Sequence, residues 1–207
     1  MDQNVSQYPV SLSIDYPEKC DRLTTFFRIF VAIPICVIAT LLVGQSYHWS
    51  WMLWSGPVLG GGYVVAATAL MILFRKKYPR WWFDWNVALA RFSVRVSAYL
   101  MVLTHQYPST DEEQAVHLEI AYPDAQAELG RGMPLVKWLL AVPHVIILAF
   151  VSLAAVFCTI VAWFAILFTA RYPRSLFDLV VGFLRWSLRV GAYAVLLTTD
   201  KYPPFEL

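Results

Sequence analysis

"YPRWWFDWNVALARFSVRVSAYLMVLT" (Tyr78–Thr104) returns as "YPRSLFDLVVGFLRWSLRVGAYAVLLT" (Tyr172–Thr198). The second version keeps YPR, an Asp, two Arg four residues apart and a Tyr four residues beyond them, while most apolar positions between have changed. On a helix, Asp84, Ala88, Arg91, Arg95 and Ala98 share one stripe, as do Asp178, Gly182, Arg185, Arg189 and Ala192, because offsets of four, seven and eleven return to one face. The rest of each circumference is mainly aromatic and aliphatic. Two further matches extend the correspondence upstream: "VSLSIDYP" (Val10–Pro17) with "VHLEIAYP" (Val116–Pro123), and "VAIP" (Val31–Pro34) with "LAVP" (Leu140–Pro143). The chain therefore divides into a first unit, 1–110, and a second, 111–207, joined near the acidic "STDEEQ" (Ser109–Gln114).

Each unit opens with strict alternation. Val10, Leu12, Ile14 and Tyr16 oppose Ser11, Ser13 and Asp15, and Val116, Leu118, Ile120 and Tyr122 repeat the pattern. That is the period of a half-buried strand, and two lone strands satisfy their edges most economically by pairing with each other, the alternative being two separate extended segments lying on the lipid headgroups. Apolar segments follow. In the first unit, Leu23–Gly44 and Pro57–Phe74 are each long enough to cross hydrocarbon, which takes about 20 helical residues. The uncharged loop between them carries Trp49, Trp51 and Trp54, predicted as anchors in an aromatic belt.

Bulk composition agrees with a membrane protein: 59% of the 207 residues are hydrophobic and only 14% charged, with a mean hydropathy of +0.56. A net charge of +2 gives no electrostatic footprint for nucleic acid. The polar N-terminal stretch lacks a cleavable signal pattern, so the mature chain is expected to begin at Met1. Cys20, Cys36 and Cys158 have no paired spacing and read as packing residues.

Basic "RKKYPR" (Arg75–Arg80) and "ARYPR" (Ala170–Arg174) close the apolar segments, whereas the Trp-rich loop has no Lys or Arg. The positive-inside rule then places both YPR motifs, and both termini, in the cytoplasm of a multi-pass protein. The second unit complicates this, because Leu135–Phe168 runs without a polar loop and would reach about 50 Å as one helix. Equal placement of the YPR motifs requires an even number of crossings, hence a short hairpin breaking near Phe150–Ala154, although no Gly or Pro marks the break. The expected fold is thus an all-α membrane protein: a tandem repeat of transmembrane helical hairpin plus amphipathic interfacial helix, with a short surface strand opening each repeat.

A helix lying in the interface spares the arginines the cost of the bilayer centre and turns their stripe toward headgroups or a protein neighbour. Arg91, Arg95, Arg185 and Arg189, with Asp84 and Asp178, are accordingly the candidate lipid- or partner-binding residues. A purely structural role is the alternative, with Asp84 pairing Arg91 and Asp178 pairing Arg185 inside the protein.

The duplicated pattern, and especially Ala162–Phe205, resembles the bacterial membrane-protein family known as DUF4389, a domain of unknown function. The resemblance implies a bacterial inner-membrane location and carries no activity, cofactor or catalytic residue. None of the common catalytic signatures occurs, His105, His117 and His144 are scattered, and His144 alone sits in apolar sequence as a conceivable haem ligand. No cofactor or metal is expected. The sequence points to a non-enzymatic accessory or scaffold subunit docking laterally on a larger membrane complex, or alternatively to a protein that binds anionic lipid or transports lipid or a small solute.

Overall fold

The computed structural model describes residues 8–43, 62–110 and 112–207. In chain order these form β1 (Val10–Ile14), α1 (Arg22–Val43), α2 (Gly62–Arg75), α3 (Arg80–Leu100), β2 (Val116–Ile120), α4 (Met133–Thr169) and α5 (Arg174–Ala194). Trp49, Trp51 and Trp54 lie outside the described residues.

The two strands pair with each other and do not lie apart as separate extended segments. They run antiparallel with Leu12 opposite Leu118 and Ser13 opposite His117. Val10, Leu12, Val116 and Leu118 are buried, while Ser11, Ser13, Asp15, His117 and Glu119 are exposed. The sheet is therefore apolar beneath and polar above.

Beneath the sheet, β1 packs on α5 and β2 on α3. Each strand thus lies on the amphipathic helix of the other half of the chain. The next layer is apolar: α4 packs along α5, α1 along α3, and both α1 and α2 also touch α4. Only a narrow stripe of α4 is buried, running Lys137, Ala141, His144, Leu148, Ser152, Ala155, Cys158, Ala162 and Ile166. Its small residues let the backbone of α5 come close. Around that stripe Leu139, Phe150, Phe157 and Phe168 are exposed, as are Leu23, Ile29, Phe30 and Leu41 on α1. Two helices, over Arg22–Leu41 and Met133–Thr169, are long and apolar enough to cross a membrane.

Two expectations are corrected. The second apolar segment is not a hairpin: Met133–Thr169 is one helix, with Pro143 accommodated inside it. Nothing in Phe150–Ala154 favours a turn, so the backbone hydrogen bonds continue. Nor do α1 and α2 fold back on each other. Arg28 of α1 reaches the carbonyl of Tyr99 near the end of α3, and Thr68 of α2 meets Trp82 near its start. Together α1 and α2 take up α3 end to end, from its C-terminus to its N-terminus. Along α5, α4 follows the same path alone: Lys137 lies over Tyr193 and His144 against Trp186.

Asp21 caps α1, accepting from the backbone N–H groups of Leu23 and Thr24. Those bonds, led by Leu23, hold its carboxyl below the ordinary aspartate range. At the other ends, Lys76 and Ala170 adopt positive φ of 47° and 56° and turn the chain into the two YPR motifs.

Candidate functional site

The repeated arginines meet the sheet. Asp15 N donates to Ala115 O and Ala121 N to Pro9 O, so by the antiparallel alternation Leu12 and Leu118 form a pair whose carbonyls point outward from the two edges. Arg185 Nε donates to Leu12 O at 3.3 Å, and Arg91 to Leu118 O at 3.5 Å. A two-stranded sheet has nothing but edges, and each edge receives a guanidinium from the stripe below it. The next arginine of each stripe reaches a chain segment: Arg95 donates to Ser109 O at 2.7 Å and Arg189 to Glu206 O at 3.4 Å.

The aspartates go elsewhere. Asp84 sits 4.0 Å from Arg80 in an exposed pair, and among the described residues no ion pair joins Asp84 to Arg91 or Asp178 to Arg185. Seven helical residues are two turns, about 10.5 Å of rise, which is too far for those side chains to bridge along one face. Arg91 and Arg185 are thus brought to the sheet and Arg95 and Arg189 to the segments at Ser109 and Glu206, while Asp84 and Asp178 are left exposed outside these contacts.

The YPR motifs complete the exchange between halves. Tyr16, just past β1, donates its hydroxyl to the carbonyl of Tyr172, and Tyr122, just past β2, donates to that of Tyr78 at 2.6 Å. Tyr16 meets Phe177 edge-on with centroids 5.0 Å apart, and Tyr122 meets Phe83 in the same manner at 5.1 Å. Arg174 lies 4.6 Å over the Tyr16 ring and Arg80 5.4 Å over that of Tyr122. Motif conservation between the halves is explained by these contacts, since each YPR turn is the socket for the other half's tyrosine.

Two buried cations escaped the sequence reading. Arg28, 3% exposed, donates to Tyr99 O at 2.8 Å, lies over the Tyr99 ring and contacts His105 Nδ1 at 3.0 Å. Lys137, 1% exposed, donates to Thr199 O at 2.8 Å, lies 5.2 Å from the Tyr193 centroid and pairs with Asp200 at 2.7 Å. Each precedes its proline, Pro34 or Pro143, by the same six residues, and that shared offset inside an apolar run was the available signal. Both cations secure the segment that follows an amphipathic helix. Burial, then the Arg28 charge, holds His105 below the ordinary imidazole value, so it accepts from Arg28 as a neutral ring.

His144 is fully buried. Trp186 Nε1 donates to its Nδ1 at 3.1 Å, and Phe205 stacks on it with centroids 3.9 Å apart. With Nδ1 occupied and a ring against its face, the imidazole is packed as core. No cluster of three His, Cys, Asp or Glu that could hold a metal occurs among the described residues.

Some of these contacts fall within a stretch matched by a family model. The profile of the family described as a domain of unknown function, DUF4389, matches residues 133–206, covering α4, its YPR turn, α5 and the segment beyond. The resemblance drawn from Ala162–Phe205 is therefore shown over residues 133–206, and the first unit lies outside the match. No curated protein and no solved structure matches.

Proposed function

We propose that this chain is a non-enzymatic membrane scaffold made of two copies of one unit, 1–110 and 111–207, that exchange their strands. In this reading its apolar layer is seated in lipid and its polar sheet faces water, available to a larger membrane complex. The observation that carries the reading is the division of the molecule into two unlike faces: exposed Leu, Ile and Phe along α1 and α4, and exposed Ser, Asp, His and Glu on the sheet. Soluble monomers rarely leave contiguous apolar patches of more than a few hundred Å² open, and here exposed apolar side chains run the length of both helices. The arginine stripes serve assembly of the two units, since their partners are backbone carbonyls of the same chain.

A second reading, anionic-lipid binding, is favoured by the exposed cations Lys19, Arg22, Arg171 and Arg174 and by Arg75, Lys77 and Arg80, all bordering the apolar layer. Fractionation tests the seat: the chain should stay with membranes through an alkaline carbonate wash and leave only with detergent. Release by carbonate refutes it. Native electrophoresis after gentle solubilisation tests the scaffold, which requires a species larger than the 23.7 kDa chain with its detergent. A lone monomer that retains phosphatidylglycerol would favour the lipid-binding reading instead.

A further inference from the structure

We infer that α4, together with α1 and α2, lies along the membrane within one leaflet and does not cross the bilayer. The inference rests on the lipid seat proposed above and specifies its geometry. Three independent observations lead to it.

The first is length. Thirty-seven helical residues extend about 55 Å, against a hydrocarbon core of about 30 Å, and the exposed apolar positions continue from Leu135 to Phe168 without a polar break. A helix about 10 Å across fits within one leaflet of about 15 Å when laid flat.

The second is charge. Tyr122 and Gln126, shortly before α4 begins, touch Tyr78 and Lys76, whereas Tyr172 follows directly on its end. The two YPR motifs therefore stand at opposite ends of α4. Arg75, Lys76, Lys77 and Arg80 gather at one end, and Lys19, Arg22, Arg171 and Arg174 at the other, where Arg22 donates to Phe168 O and Cys20 N to Ala170 O. A crossing helix would carry equal basic clusters to both sides of the membrane, contrary to the positive-inside bias. A flat helix keeps both on one side.

The third is the position of the sheet. Arg91 and Arg185 hold it from the middle of α3 and α5, and α5 runs along α4. Were α4 to stand upright, the exposed Ser11, Ser13, Asp15, His117 and Glu119 would lie at the bilayer midplane facing acyl chains. With α4 flat, the amphipathic helices rest above it and the polar sheet face is outermost, in water. Exposed Trp81 and Trp85 then fall beside Arg80 at the headgroup level.

The experiment uses the full chain with Cys36→Ala, the buried Cys20 and Cys158 being left in place, in vesicles of phosphatidylethanolamine and phosphatidylglycerol. Spin labels are attached singly at Leu135→Cys, Phe150→Cys and Phe168→Cys, all exposed positions. Collision with oxygen and with a water-soluble nickel chelate reports their depth. All three should lie in hydrocarbon at one common depth. A label at Phe150 near the midplane with Leu135 and Phe168 shallow overturns the flat seat while leaving the lipid seat intact. Three aqueous labels overturn both. As a second measurement, Glu18→Cys and Gln126→Cys mark the two ends of α4 and are exposed. A membrane-impermeant maleimide should reach both from one side of sealed native membranes, and labelling from opposite sides overturns the inference.

Discussion

Replacing Asp200 by Ala strips the buried Lys137 ammonium of the only carboxylate paired with it among the described residues, and the cost can be worked from the surroundings. The Lys137 side chain is 1% exposed and that of Asp200 22%, so the two changes are unequal. Removing one partner of a buried pair costs about 3 to 5 kcal/mol, because the other charge stays desolvated. Asp200→Ala belongs in that range: the ammonium keeps Thr199 O and the Tyr193 ring, neither of which neutralises it. It also removes the acceptor for Gly130 N. Lys137→Met should cost less, about 2 to 3 kcal/mol, since a partly solvated carboxylate tolerates the loss better. At about 2 to 4 °C per kcal/mol for a chain of this size, Asp200→Ala should lower the melting temperature by about 6 to 20 °C. Near-ultraviolet circular dichroism in a mild maltoside detergent follows the transition. The double variant should be less destabilised than the sum of the singles, with a coupling of about 2 kcal/mol. Simple additivity, or a loss below about 1 kcal/mol for Asp200→Ala, would refute the reasoning that this pair is desolvated and closed.

Tyr16→Phe and Tyr122→Phe should each cost about 1 kcal/mol in the same assay, and their effects should add because the sockets are separate; strong coupling would contradict that separation. Intramolecular crosslinking should join Ser11→Cys to Glu119→Cys, and Ser13→Cys to His117→Cys, whereas Ser11→Cys with His117→Cys should lag; equal yields would deny the register. His105 binds protons more weakly folded than unfolded, so stability present above the unfolded value of about 6.5 should fall as pH drops below it toward the lower folded value. His105→Gln should flatten that slope, and an unchanged slope argues against a neutral His105. Lys in place of Arg91 and Arg185 keeps a donor for the strand carbonyls and should leave melting within about 1 kcal/mol of wild type, while Gln at both should lower it by more; indifference to Gln would show that the edge contacts contribute nothing.

The sequence disclosed some levels of this organisation and concealed others. Alternation at Val10–Tyr16 and Val116–Tyr122 announced the strands, whereas their pairing was one of two readings, separate extended segments at the surface being the other, and only the structure decided between them. The arginine stripes were legible as stripes because helical geometry is fixed. Their acceptors were not legible, since a backbone carbonyl, in the opposite unit for Arg91 and Arg185 and in the same unit for Arg95 and Arg189, leaves no residue signature. The hairpin at Phe150–Ala154 was imposed by requiring an even number of crossings. Residues without Gly, Pro or charge carry no reason to turn, and the helix simply continued. Arg28 and Lys137 went unread because their partners lie near Tyr99 and Thr199, some sixty to seventy positions away.

Exchange of strands between the units also sets an order of events during synthesis. Leu12 and Tyr16 leave the ribosome first, yet their partners Arg185 and Tyr172 lie 173 and 156 residues downstream. At roughly 5 to 20 residues per second, β1 waits on the order of ten to thirty seconds for its seat to exist. During that interval α1 is already made, and with the lipid seat proposed above its apolar flank meets lipid before it can meet α4. On that proposal translation delivers the apolar helix early and its protein neighbour late, so the bilayer would serve as the temporary partner on which the last helix closes the fold.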